Sequence, residues 1–288
     1  KQELSNLNLA LKADSLTGPF DITGDTLWSG QKIVVKATSG AVDGANGVYP
    51  IQASISLPSA ATKLEFTGVV NSKTKGASGD VVFEADDIAN AVKAVTGTAP
   101  SLPDGLGGKA EVAGKLVYSS TRVALDQMAV HVGPLSYTGQ MSVDGLGDGT
   151  QPQVSFSLDS KAAAPQNAAP LIGLLSDLSI AAKASLENNK LQIVSSHIAT
   201  QGSNLDISGY ADIAATPPNV DLAITASAIN LDKLQNSSGS AATADSTSAS
   251  KTGKPADMGF ALPVNGKIRA TIGSLTTGGQ TYSGIVAD

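Results

Sequence analysis

A five-residue phrase recurs down the chain and constrains its architecture more than any other feature. It reads Leu64-Glu-Phe-Thr-Gly68, then Leu135-Ser-Tyr-Thr-Gly139, then Leu205-Asp-Ile-Ser-Gly209, with a related Phe20-Asp-Ile-Thr-Gly24 near the start. The later copies stand 139 − 68 = 71 and 209 − 139 = 70 residues apart, and the first step is 68 − 24 = 44. Apolar side chains at the first and third positions share one face of an extended strand. The terminal glycine permits a bulge, a bend or a close backbone approach. A phrase repeated at a near-constant period points to a repeat architecture made of strands.

The 288 residues suffice for one large β domain or two smaller ones. The net charge of −6 builds no basic patch, which argues against nucleic acid and makes an anionic membrane surface a poor electrostatic partner. With no cysteine, disulfides, thiolate metal sites and cysteine catalysis are excluded. No apolar run of about 20 residues occurs, so no membrane-spanning helix is expected. Starting at Lys1 with no signal peptide, the chain reads as an excised or mature portion of something longer.

Most of the chain alternates. Leu7, Leu9 and Leu11 predict one strand, and Ile51, Ala53, Ile55 and Leu57 another; Val154, Phe156 and Leu158, then Val220, Leu222 and Ile224, repeat the pattern. Their alternate neighbours are mostly Ser, Asp, Gln, Thr or Ala, as in an antiparallel sheet with one apolar and one wet face. Three short helices are expected: Asp87 to Val95, with Asp86 and Asp87 as caps, Ile88, Val92 and Val95 as a stripe and Gly97 as the stop; the run Pro170 to Asp177; and Leu231 to Leu234. Each unit thus reads as strands followed by a brief helix, the middle unit fitting more loosely because its helix comes later. Gln235 to Asp257 contains no Leu, Ile, Val or aromatic residue and reads as a flexible loop or linker.

No catalytic constellation emerges. His131 and His197 alternate with aliphatic neighbours and are expected to face water; neither has the i, i+4 spacing of a helical metal site. Asp144-Gly-Leu-Gly-Asp-Gly149 lacks the lysine of a phosphate loop and the remaining ligands of a calcium loop, and a hairpin turn accounts for it better. Leu102 to Gly108 is read in the same way, and Trp28 as core or edge packing. Neither enzyme activity nor a cofactor is expected.

Gly18-Pro-Phe-Asp-Ile-Thr-Gly24, the run from Val220 to Leu234 and the series Asn265 to Leu275 resemble the AsmA family of bacterial envelope proteins. The resemblance is diffuse, covers most of the chain and carries no catalytic motif. It implies a large periplasmic β region tethered by an inner-membrane helix that this sequence lacks. It implies a part in outer-membrane assembly and lipid homeostasis, and a build similar to bridge-like lipid-transfer proteins, whose sheets curve into an apolar groove.

The expected fold is mainly β: an elongated, repetitive, curved antiparallel sheet, forming a groove or an open barrel-like shape, with a few short helices. The expected organisation is a first β-repeat region at 1–100, two further units at 101–234, the linker at 235–257 and a C-terminal β segment at 258–288. Three short helices cannot roof such a sheet, so its apolar face must meet another sheet, close on itself or stay open for an apolar ligand. Phe156, Leu158, Ile193, Leu222 and Ile224 are the candidate lining residues, and an ordinary sandwich or barrel core is the competing account of them. The expected partners are phospholipid or another acyl-chain ligand and envelope proteins. The alternative function is a non-enzymatic structural or interaction module binding protein or glycan at the cell envelope or surface.

Overall fold

The computed structural model describes residues 4–41, 45–100, 102, 106–147, 149–160, 170–187, 190–212, 214, 215, 217–236 and 265–287. Its 16 strands form one open sheet, hydrogen-bonded in chain order from first to last. β1 (Leu4–Ala13), β2 (Phe20–Trp28), β3 (Gln31–Ser39) and β4 (Val48–Leu57) lead into a 3-10 turn at Pro58–Ala60. Three units of one plan follow, each with two strands, a helix and two strands. The first is β5 (Thr62–Asn71), β6 (Gly76–Ala85), α1 (Ile88–Thr96), β7 (Ala110–Tyr118) and β8 (Arg122–Val132). The second is β9 (Leu135–Asp144), β10 (Gln153–Ser160), α2 (Pro170–Leu175), β11 (Ser179–Glu187) and β12 (Lys190–Thr200). The third is β13 (Ser203–Asp212), β14 (Asn219–Asn230), α3 (Leu231–Asn236), β15 (Asn265–Thr277) and β16 (Gln280–Ala287).

Every unit opens on a strand bearing the phrase, and the fourth copy lies in β2. The helix follows the second strand in all three, the middle unit included. It comes later there because residues 161–169, outside the described residues, intervene between β10 and α2. The sheet crosses residue 100 without a break, since β6 pairs with β7 along its whole length. Gln235 and Asn236 end α3; the rest of the expected linker, 237–257, lies outside the described residues.

Strand direction alternates until β14 and β15, which pair in parallel with Leu222 opposite Ile268. A tight turn cannot join parallel neighbours, whereas the stretch from Asn236 to Asn265 is long enough for a crossover. β4, β6, β10 and β14 run in one direction, so the 3-10 turn and all three α-helices gather along one margin of the sheet. The hairpins that join β1 to β2, β5 to β6 and β9 to β10 lie along the other.

The phrase glycines mark where the sheet bends. Gly24, Gly139 and Gly209 each pair beside a β-bulge in the preceding strand: between Ser5 and Asn8 in β1, between Leu125 and Met128 in β8, and between Ile193 and Ser196 in β12. A bulge next to a residue without Cβ sharpens local twist and coiling. At Gly68 the device differs: Gly68 pairs with Gly79, and the Phe66 ring lies over both. The β1 bulge also modifies the alternation expected there. Leu9 and Leu11 pair with Gly24 and Ile22, but Leu7 sits inside the bulge with no place in the ladder.

α1 is delimited as its sequence predicts. The Asp87 carboxylate accepts from the Asn90 amide at 2.8 Å, and Gly97 closes the helix in the left-handed conformation. α2 covers a buried apolar cluster in which Ile172, 2% exposed, packs on Leu135 and Tyr137. The Tyr137 hydroxyl donates to the Leu175 carbonyl at 2.8 Å and so ties sheet to helix. Tyr137→Phe is expected to cost about 1 kcal/mol in urea denaturation. Burial also raises the phenol above its ordinary value of 10.0. The folded chain keeps this proton after the unfolded chain has lost it, so the contribution is intact below pH 10 and fades as pH rises through the raised value. Wild type and Tyr137→Phe should therefore converge in thermal midpoint only on the alkaline side.

Candidate apolar groove

Cross-strand pairing fixes which side chains share a face. Starting from Phe156, register runs to Met141 and Leu125 in one direction and to Ala182, Ser196, Ile207, Ile224 and Ala270 in the other. The neighbouring row runs from Val154 through Ala184, Ile193, Gly209 and Leu222 to Ile268. All five candidate lining residues therefore lie on one face, together with Ile180, Ile198, Ile207 and Ile268, which sequence reasoning did not single out. The same face continues through Phe83, Leu64, Ile55 and Val35 toward Leu9 and Leu11 on β1.

The opposite face is polar. Lys115–Asp80 at 3.1 Å, Arg122–Asp144 at 2.5 Å and Arg269–Asp221 at 2.7 Å bridge neighbouring strands there. Exposed pairs of this kind contribute at most about 1 kcal/mol each, but like the serines around them they keep this side wet. His131 and His197 are exposed on this face, as their alternation implies. His197 Nδ1 meets Asp206 Oδ1 at 2.8 Å, at the rim of a depression of about 360 Å³ lined also by Lys183, Ser155 and Ser195. Among the described residues no serine hydrogen-bonds His197, and no cluster of three or more His, Cys, Asp or Glu is placed to hold a metal.

The apolar face is not sealed. Ile193, Leu222, Ile224 and Phe156 are half-buried, and Leu64, Met141, Val154 and Ile268 retain 36–41% of their accessible surface. Leu158 differs, because it packs against the cluster beneath α2 and belongs to the local core. Gly209 pairs with Ile193 on one side and Leu222 on the other and brings the β13 backbone close to β14, where a Cβ would meet the Asp221 carbonyl. The two rows together make an open apolar trough whose named members carry one hydroxyl, that of Ser196. Trp28 stands half-buried on this face beside the edge strand.

A second apolar feature lies under α1. Ile88, Ala91, Val92 and Val95 of the helix face Ile55, Leu57, Leu64 and Phe83 of the sheet across a cleft of about 390 Å³. Both sides were visible in the sequence as separate patterns. What was missing was the return of the helix over β4–β6, which depends on where its caps anchor it. Among the described residues no helix is long and apolar enough to cross a membrane, which says nothing about strands.

Comparison of the chain with protein-family models, with curated proteins and with solved structures returns no match.

Proposed function

We propose that this sheet is a non-enzymatic lipid-bearing groove, a periplasmic segment of an AsmA-like protein that binds or conducts phospholipid for outer-membrane assembly and lipid homeostasis. A tether to the inner membrane would lie outside these residues. The observation that carries the reading is an apolar face, locked in register from β1 to β15, whose large side chains stay partly exposed in an open sheet. Left bare, such a face favours aggregation or a ligand; acyl chains would gain about 0.8 kcal/mol per methylene buried on it. Headgroups would project to solvent, since the lining offers them few partners. Family membership, compartment and lipid cargo rest on the resemblance together with this surface.

The test is extraction of the purified chain with organic solvent followed by mass spectrometry. Phospholipid in at least equimolar amount is the expected result. A lipid-free protein that also takes up none from vesicles would overturn the reading.

One observation favours an interaction module instead. β1 is an open edge strand on which Leu7, Leu9 and Leu11 are 62–74% exposed, and edges of this kind pair readily with another strand. Sedimentation as a stable complex with an envelope protein, without bound lipid, would support it.

A further inference from the structure

We infer that the cleft between α1 and the sheet is a pocket for the end of a single hydrocarbon chain, separate from the trough at β10–β14. The inference rests on the reading of this face as lipid-bearing.

The lining excludes a polar guest. Among the described residues no charged side chain borders the cleft, and its only polar residues are Thr62 and Thr96. Thr62 donates its hydroxyl to the Ala60 carbonyl at 3.0 Å, and Thr96 donates to the Val92 carbonyl at 2.9 Å. Neither has a proton left to offer. Water in the cleft finds almost no hydrogen-bonding partners, so its displacement by methylenes is favourable.

The cleft is held open. Helix α1 sits on its own anchors: Asp87 caps it, the Ile88 amide donates to the Gly108 carbonyl at 3.0 Å, and the Asp86 amide donates to the Ala61 carbonyl at 3.2 Å. These ties fix the helix above the sheet. The residue it buries there is Ala91, too small to fill the space. The mouth is accessible, since Ile55 and Leu64 are each 41% exposed and Val95 is 51% exposed. At about 390 Å³ the cleft lies near the lower end of the roughly 300–1,000 Å³ of small-molecule sites, which suits one chain and not a diacyl lipid with its headgroup. Ile55 pairs on with Val35, outside the cleft, so a chain anchored here continues onto the open face.

The test uses the full chain and spin-labelled stearate below its micellar concentration, with the immobilised fraction read by electron paramagnetic resonance. Ala91→Leu fills the cleft. It should weaken stearate binding about tenfold, the loss of roughly two buried methylenes, with thermal stability unchanged or raised. Should leucine overpack the site, Val95→Ser at the exposed lip gives the same direction with less risk to folding. Extracted phospholipid is measured in parallel. If both variants fold and bind stearate as wild type does, the cleft is not the site, and the groove survives provided phospholipid is still present. If wild type binds neither stearate nor phospholipid, both readings fall.

Discussion

Gly209→Ala is expected to destabilise the protein by more than about 3 kcal/mol, although it adds one methyl group to a half-buried strand position. A Cβ there would be driven into the Asp221 carbonyl oxygen and would stand 2.9 Å from the Leu222 Cα. Both are backbone atoms of a strand paired along its length, so no side-chain rotation relieves the clash. Gly209 also has φ +131°, a conformation in which alanine is strained whatever the space. On its other side β13 is held by its pairing with β12. Urea denaturation should show the loss, and Ser208→Ala on the exposed polar face should leave the midpoint within about 0.5 kcal/mol of wild type. Near-wild-type stability for Gly209→Ala would mean that the bend does not depend on this residue.

The double variant Ile193→Asp, Leu222→Asp is expected to cut co-purifying phospholipid at least about tenfold while the chain stays folded. The two side chains flank Gly209 and are half-buried without being sealed. A carboxylate at either position is solvated when the trough is empty and must be stripped of water, or left unpaired, when an acyl chain covers it. That cost falls on the bound state and largely spares the fold. His197→Ala, on the wet face, is the matched control and should leave lipid content unchanged. Equal loss in both variants would indicate that lipid adheres without regard to face, and retention in both would remove the trough from the account.

How far the sequence reached depended on whether a feature was local. Alternation at Ile51–Leu57 and Val220–Ile224 needs only period two, and both segments are strands. The helix of Ile88, Val92 and Val95 carried its own start and stop, and Asp87 and Gly97 act as both. The five lining candidates share a face because antiparallel pairing transmits parity from strand to strand. Features that needed two distant segments were not legible. Nothing near Leu222 announces Ile268 as a parallel neighbour, since the two stand 268 − 222 = 46 residues apart in the chain. The bulges were hidden as well: Asn6 and Gln127 adopt φ of 53° and 52° without a glycine to advertise it. Leu158 looked like its neighbours Phe156 and Val154 and became core only because α2 settles over it.

The order of strands in the sheet, identical to their order in the chain, has a consequence for how the molecule holds together. Each strand has at most two partners, the ones made just before and just after it, so stability spreads along the array as in a one-dimensional lattice, with no tie from one end to the other. Folding can nucleate at any hairpin and grow outward, and each contact closes a short loop. The exceptions are the helix-bearing connections from β6 to β7 and from β10 to β11 and, longest of all, the parallel step, whose formation must await the closure from Asn230 to Asn265. Fraying should therefore begin at the termini and at this seam, leaving the middle of the ribbon the last part to exchange its amide protons.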